Sequence, residues 1–152
     1  MTIGIDHVTI VVTDLDEARR FFSLLGLEET TAVVVSGDAM SRYMDIPSWE
    51  SDHVTLTLPS APDHQEIQLL RFHHPILGPD DAPSHLDRLG LNHLCFAVDD
   101  LDATLRTMEA NGFRARNEVL EYHDRKLVFL DGPGRVVVEL AERNPHTSTI
   151  PE

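Results

Sequence analysis

Four side chains of this 152-residue chain have the types and spacing to hold a metal ion: His7, Gln68, His93 and Glu139. His7 and His93 stand 86 residues apart, and so do Val12 and Val98, Asp14 and Asp100, Leu15 and Leu101, Asp16 and Asp102, Arg20 and Arg106, and Gly26 and Gly112. Seven identities over the 23 ungapped positions that set residues 5–27 against 91–113 mark a duplicated unit. Gln68, in EIQLLRF, and Glu139, in VVVELA, stand on what read as the closing strands of the two copies. Gln68 follows its histidine by 61 residues and Glu139 by 46, so the first copy carries about 15 more in its middle. If the copies pair about a pseudo-twofold axis, two imidazoles, an amide oxygen and a carboxylate meet in one cavity. That nitrogen and oxygen donor set suits a divalent ion such as zinc, iron, cobalt, nickel or manganese. A single histidine on a strand more often packs in the interior or at a rim than binds metal. Its repetition at one module position, beside a glutamate in an apolar strand that needs a partner, favours the metal.

These side chains require elements that place them. IDHVTIVV, residues 5–12, reads as a strand with His7, Thr9 and Val11 on one face. Asp14 then stands as a helix N-cap with Glu17 three residues on, Ala18, Phe21, Phe22 and Leu25 form an apolar stripe, and Gly26 supplies the stop. Strands are expected at 31–36, 53–59 and 66–72. The segment 37–52, with Pro47 and the single tryptophan Trp49, reads as an irregular loop lying over a ligand pocket in preference to a partner subunit. Residues 73–90, with Pro75, Pro79 and Pro83, read as a connector. The second copy repeats the order: a strand at 91–98, a helix from Asp100 with Leu101, Leu105 and Met108 inward, a stop at Gly112, and strands near 114–120, 125–130 and 135–141. Asp131-Gly132-Pro133-Gly134 is a turn between the last two, and 143–152 reads as a loose tail. The expected fold is α+β, with tandem βαβββ modules at 3–72 and 91–142 curled into a half-open barrel around the cavity, in one domain over 1–152.

Composition narrows the partners. Twelve basic residues against 26 acidic ones give a net charge of −14, which repels nucleic acid and anionic membrane surfaces. An anionic substrate would need a local basic patch such as Arg71, Arg125 and Lys126. Cys95 is the only cysteine, so an internal disulfide framework and a thiolate metal cluster are both excluded. No stretch approaches the roughly 18 apolar residues of a membrane span, and the N-terminus has no basic flank followed by an apolar run. A soluble cytoplasmic protein acting on a small molecule is the expectation.

The paired modules, with IDHVTIVV and LNHLCFAV opening them and EIQLL and VVVEL closing them, resemble the vicinal oxygen chelate superfamily. That group includes glyoxalase I, methylmalonyl-CoA epimerase, type I extradiol dioxygenases, fosfomycin resistance enzymes and metal-free bleomycin-binding proteins. The resemblance covers nearly the whole chain, leaving out the connector and tail. It implies metal ligands at His7, Gln68, His93 and Glu139, and an ion that chelates two neighbouring oxygens of a substrate. Glutamates at both closing positions would resemble glyoxalase I, whereas Gln68 against Glu139 resembles the epimerase. Two histidines and one glutamate without a fourth ligand would resemble a dioxygenase or a fosfomycin enzyme. The expected activity is therefore a lyase or isomerase of the glyoxalase/epimerase type, which stabilises an enediolate of a small carbonyl or thioester compound while Glu139 takes an α proton. Tyr43, Glu50, Asp52 and His123 are candidates for a second acid or base, although surface solvation accounts for each. The segment 37–52 and the HHP after the fourth strand depart from the epimerase pattern and leave the substrate open. A non-heme iron extradiol dioxygenase and a non-catalytic drug- or metabolite-binding protein are the competing expectations. Strand edges exposed where the sheets of duplicated modules meet are usually covered by a symmetric partner, so a homodimer is expected, and the resemblance allows the cavity to form within one chain or between two.

Overall fold

In the computed structural model, which describes residues 1–79 and 84–143, the chain forms two compact units, Met1–Ala82 and Pro83–Glu152. The first contains β1 (Val8–Val11), α1 (Leu15–Leu24), β2 (Glu28–Ser36), α2 (Asp38–Met44), β3 (Glu50–Thr57) and β4 (Glu66–His74). Its sheet runs β1-β4-β3-β2, with β1 parallel to β4 and the other pairs antiparallel. The period-two pattern sends Ile10, Val54, Leu56, Ile67 and Leu69 to one face, where all are buried. Helix α1 contributes Ala18, Phe21 and Phe22, none of which retains solvent exposure. Asp14 Oδ1 accepts from the Glu17 backbone N–H at 2.9 Å, which satisfies one of the orphan donors at the helix start. Gly26 ends this segment at φ 90°, as Gly112 does in the second unit at φ 89°, in the left-handed region that glycine occupies without strain.

The second unit contains β5 (Leu94–Val98), α3 (Leu101–Ala110), β6 (Leu120–Tyr122), β7 (Arg125–Asp131), a short 3₁₀ turn (Pro133–Arg135) and β8 (Val137–Arg143). Its sheet repeats the plan in the order β5-β8-β7-β6, again with the outer first strand parallel to the last. Leu101, Met108, Val128, Leu130, Val138 and Leu140 form its core. Asp100 caps α3 by accepting from the Ala103 N–H at 2.8 Å. The turn before β8 needs Gly132, because a Cβ there would lie 2.7 Å from the Val136 carbonyl oxygen. The fold is thus α+β with two tandem modules.

Three expectations are corrected. Residues 37–52 are not an irregular loop: most of them form α2 and the first turns of β3, and Trp49 is buried against Phe72, with ring centroids 5.8 Å apart at 87°. DAMSRYM lacks glycine and proline, so it can wind as a helix between Gly37 and Asp45, the latter left-handed at φ 55°. Residues 114–119 do not form a strand, and β6 begins only at Leu120. Before it only a bridge between Ala115 and Leu130 forms, because the Asn117 side chain takes the Phe129 N–H at 3.0 Å and occupies a ladder position. Strand β4 runs on to His74, so the HHP motif begins inside the sheet rather than after it. The β3–β4 ladder is long enough to hold it, from Thr57 opposite Glu66 to Glu50 opposite His74. The tail expected at 143–152 lies almost wholly outside the described residues, since Arg143 ends β8. No described helix is long and apolar enough to cross a membrane.

Candidate metal centre

Strand register makes the two oxygen donors equivalent. Parallel pairing sets Thr9 opposite Gln68 and Cys95 opposite Glu139, and Thr9 and Cys95 are themselves 86 residues apart. His7 and His93 lie one residue before β1 and β5, a little outside the strands expected to carry them.

In the second unit the expected donors meet. His93 Nε2 lies 2.7 Å from Glu139 Oε2, and the glutamate side chain is only 13% exposed. The neighbouring amide settles the tautomer. Asn92 Nδ2 donates to the Leu86 carbonyl at 2.6 Å, so its Oδ1 is the atom that faces His93 Nδ1 at 2.7 Å. An amide oxygen only accepts, hence Nδ1 carries a hydrogen, and in the neutral ring Nε2 presents a lone pair. A lone pair and a carboxylate oxygen at 2.7 Å repel unless a cation joins them, either a second ring proton or a metal ion. The His93 ring rests edge-on against Phe129, with centroids 5.1 Å apart, which limits its rotation. Cys95 is exposed as a residue, yet burial of its sulfur first and the Glu139 charge second hold its thiol pKa up, with Arg125 opposing.

In the first unit the donors stand apart. His7 Nδ1 lies 2.5 Å from Asp6 Oδ1, and a carboxylate can only accept, so in the neutral ring Nε2 again carries the lone pair. Gln68 Nε2 donates to Glu66 Oε1 at 2.7 Å. Its Oε1 accepts from His53 Nε2 at 3.0 Å and from Thr9 Oγ1 at 3.4 Å. Glu66 Oε2 continues the chain to His64 Nε2 at 3.0 Å. Among the described residues no hydrogen bond joins His7 to Gln68, and no three His, Cys, Asp or Glu side chains come together as a metal cluster. Each unit presents one imidazole and one oxygen donor, and in both the imidazole is held by the residue before it. This chemistry fits a divalent ion, whose histidine ligands commonly donate their second ring N–H to an oxygen.

The sequence reading did not single out Asp6, Asn92, His53 or Glu66. The signal for the first two was the oxygen-bearing residue before each repeated histidine, in IDH and LNH. Glu66 stands two residues before Gln68 and so on its face, but His53 becomes its neighbour only through the β3–β4 register.

With this geometry in hand, comparison with known proteins is decisive for the family. The family model of the glyoxalase/bleomycin resistance protein/dioxygenase superfamily matches residues 6–129. The chain belongs to this superfamily. It is 26% identical over 141 residues to the uncharacterized protein YaeR of Escherichia coli K12, covering 91% of this chain and 95% of that protein. The crystal structure of a glyoxalase family protein from Bacillus cereus superposes with a TM-score of 0.85 at 27% identity, over 94% of this chain and 95% of that one. The fosfomycin resistance protein FosX of Listeria monocytogenes, solved with Mn(II) and sulfate, shares the fold at a TM-score of 0.57 and 17% identity, over 93% of each chain.

The remaining candidates of this superfamily member have structural partners or stand at the surface. His73 is the bulged residue where β3 and β4 shift register, since Glu50 pairs with His74 and Ser51 with Phe72. Its Nδ1 lies 2.8 Å from Glu50 Oε1, and its Nε2 lies 3.0 Å from Asp52 Oδ2 in an ion-pair contact outside hydrogen-bonding geometry. Arg71 Nε donates to the same Asp52 oxygen at 2.9 Å. Asp52 first and Glu50 second hold the His73 pKa above the ordinary imidazole value. Burial alone would raise the Asp52 pKa, but His73 and Arg71 outweigh it and hold it down. Asp52 alternates with His53, so this cluster faces away from Gln68. Tyr43 is 82% exposed, and the ring of exposed His123 meets that of Tyr122 edge-on, with centroids 4.3 Å apart. Of the expected basic patch, Arg71 is paired with Asp52 and Lys126 with Asp102.

Proposed function

We propose that this superfamily member is a divalent-metal-dependent enzyme of the glyoxalase/epimerase type, a lyase or isomerase acting on a small carbonyl or thioester compound with two neighbouring oxygens. The observation that carries the reading is His93 Nε2, set 2.7 Å from Glu139 Oε2 while Nδ1 of the same ring is held by the Asn92 oxygen. His93 and Glu139 are the donors of the second unit, and His7 and Gln68 those of the first. Zinc, iron, cobalt, nickel or manganese would supply Lewis acidity, drawing charge from adjacent substrate oxygens when an α proton leaves. Asp6 and Asn92 fix the donor tautomers. Glu139 Oε2 takes the proton from carbon, and the shielding of its side chain keeps bulk water from competing for it. Glu66 holds the amide nitrogen of Gln68 and thereby sets which way its oxygen turns.

A second reading has its own support. The Gln68 oxygen already accepts from His53, and if it stays there the remaining donors are two histidines and one glutamate. That set favours an iron-dependent extradiol-type oxygenase.

Metal titration of metal-free protein, followed by solvent deuterium incorporation into small 2-oxo and thioester compounds, tests the first reading. Binding of one Mn(II), Ni(II) or Zn(II) ion per chain with proton exchange supports it. Oxygen consumption with a catechol in the iron-loaded protein selects the second reading. A parent chain that binds none of these ions at micromolar concentration removes both and leaves a non-catalytic binding protein.

A further inference from the structure

Strand register sets what surrounds Glu139 on its face of the second sheet. Cys95, Glu139 and Phe129 stand side by side across β5, β8 and β7, and the next row runs Ala97, Ala141, Leu127 and Leu120 across β5, β8, β7 and β6. Cross-strand partners are neighbours and residues two apart on a strand share a face, so both rows lie on the Glu139 side. Val128, Leu130, Val138 and Leu140 alternate with them and are buried in the core on the other side. The second row is aliphatic throughout and borders the glutamate directly. Ala97 is exposed, Leu127 and Phe129 are half-buried, and Leu120 keeps 54% of its surface in water. Three interstrand spacings give the row a length of about 14 Å.

The duplication supplies an internal control. The equivalent rows of the first unit are Thr9, Gln68, Thr55 and Thr31, and then Val11, Leu70, His53 and Val33. Hydroxyls flank the amide there, and His53, 3.0 Å from the Gln68 oxygen, interrupts the apolar row. Ala97 and Ala141 stand where the first unit has Val11 and Leu70, so less side chain crowds the donor in the second. Apolar surface that meets a few placed polar groups is the usual make-up of a small-molecule site.

We propose that this row sets the specificity of the site: it receives an alkyl chain of the substrate, with Ala97, Leu127 and Leu120 against the hydrocarbon and Glu139 beside the carbon that loses its proton. A protein partner seated on the row would also lie over Glu139, which the row borders, so a small chain is the occupant that leaves the donor accessible. Calling that chain part of a substrate rests on the metal-enzyme reading; the affinity of the row for an alkyl group does not.

Zinc-loaded full chain is titrated with acetohydroxamate, butyrohydroxamate and hexanohydroxamate, which offer two neighbouring oxygens while the alkyl chain lengthens. Affinity should rise roughly two- to fourfold per methylene, full burial of one being worth about fourfold. Leu120→Ser and Ala97→Asp, at exposed positions that tolerate substitution, should flatten that dependence. In parallel, metal-free chain is titrated with hexanamide and with acetamide while backbone amide resonances are followed by NMR. Hexanamide alone should shift residues 95–98, 120, 127 and 139–141. Affinity that ignores chain length overturns the proposal, as does a length dependence that survives both substitutions. So does a dimer that Leu120→Ser dissociates in sedimentation while hexanamide shifts none of these residues, because the row is then an interface between copies. A chain that binds hexanamide here and no zinc refutes only the metal enzyme, and one that binds zinc and all three hydroxamates alike refutes only the alkyl surface.

Discussion

The residue before each repeated histidine decides what that histidine can do. Asp6 and Asn92 differ in charge, yet each places an oxygen on Nδ1 and leaves Nε2 as the donor. Asn92→Ala should weaken metal binding roughly 10- to 100-fold, the range for outer partners of metal ligands, while His93→Ala should abolish it. Isothermal titration with Zn(II) reads both, and equal affinity for Asn92→Ala and the parent would exclude the tautomer argument. Glu139→Gln keeps an oxygen in nearly the same place but removes the base. Metal should be partly retained while proton exchange at the substrate carbon is lost. Should exchange continue at the parent rate, Glu139 is a ligand only and the base lies elsewhere.

Elements are held in place by caps and by one bulge. Replacing Asp14 or Asp100 with alanine removes a side-chain acceptor from a helix start, and each should cost about 1 kcal/mol in urea unfolding. The β3–β4 bulge carries a pH dependence whose sign follows from its partners. His73 has a raised pKa, so its contribution is complete below the ordinary imidazole value of about 6.5 and is lost as pH rises through the raised folded value. Asp52 has a lowered pKa, so its contribution is present above the ordinary carboxyl value of about 3.9 and is lost as pH falls through the lowered folded value. The cluster is therefore at full strength between the two ordinary values, about 3.9 and about 6.5, and declines outside them. The Tm gap between the parent and His73→Gln should be widest near pH 5.5 and close toward pH 9, and a gap that is flat with pH would show that the imidazole charge contributes nothing.

At the scale of the whole molecule, each unit has its own core, built from Phe21, Phe22 and Leu69 in one and from Leu101, Met108, Leu130 and Leu140 in the other. Phe22→Ala should cost roughly 3–5 kcal/mol, because a ring with no exposure leaves a cavity that a sheet and helix cannot close. Within each sheet β2 and β6 have a strand on one side only, and Val33, Val34, Leu120 and Tyr122 on them are exposed. Covering such edges by a symmetric copy is a common remedy, and we propose a homodimer. Sedimentation at micromolar concentration checks this, and a monomer would remove it without touching the metal reading.

The duplication, the Asp caps, the glycine stops and the alternating strands were legible in the sequence because each depends on residues a few positions apart. So was the equivalence of Gln68 and Glu139 on the closing strands, which the register repeats beside Thr9 and Cys95 although the first copy carries about 15 more residues before its glutamine. Trp49 is a different case: its composition suggested a loop over a ligand, and only the packing of Phe72 beneath it showed what buries it. The expected strand at 114–120 starts only at its last residue for a similar reason, because one asparagine side chain competed for the backbone donor that a ladder would need. The oxygen of Gln68 turned toward His53 and the bulged His73 between two carboxylates both join residues far apart in the chain. Tertiary structure alone decided them, because cross-strand neighbours depend on register, bulges and backbone direction, and a period-two pattern fixes which face a side chain takes without fixing whom it meets there.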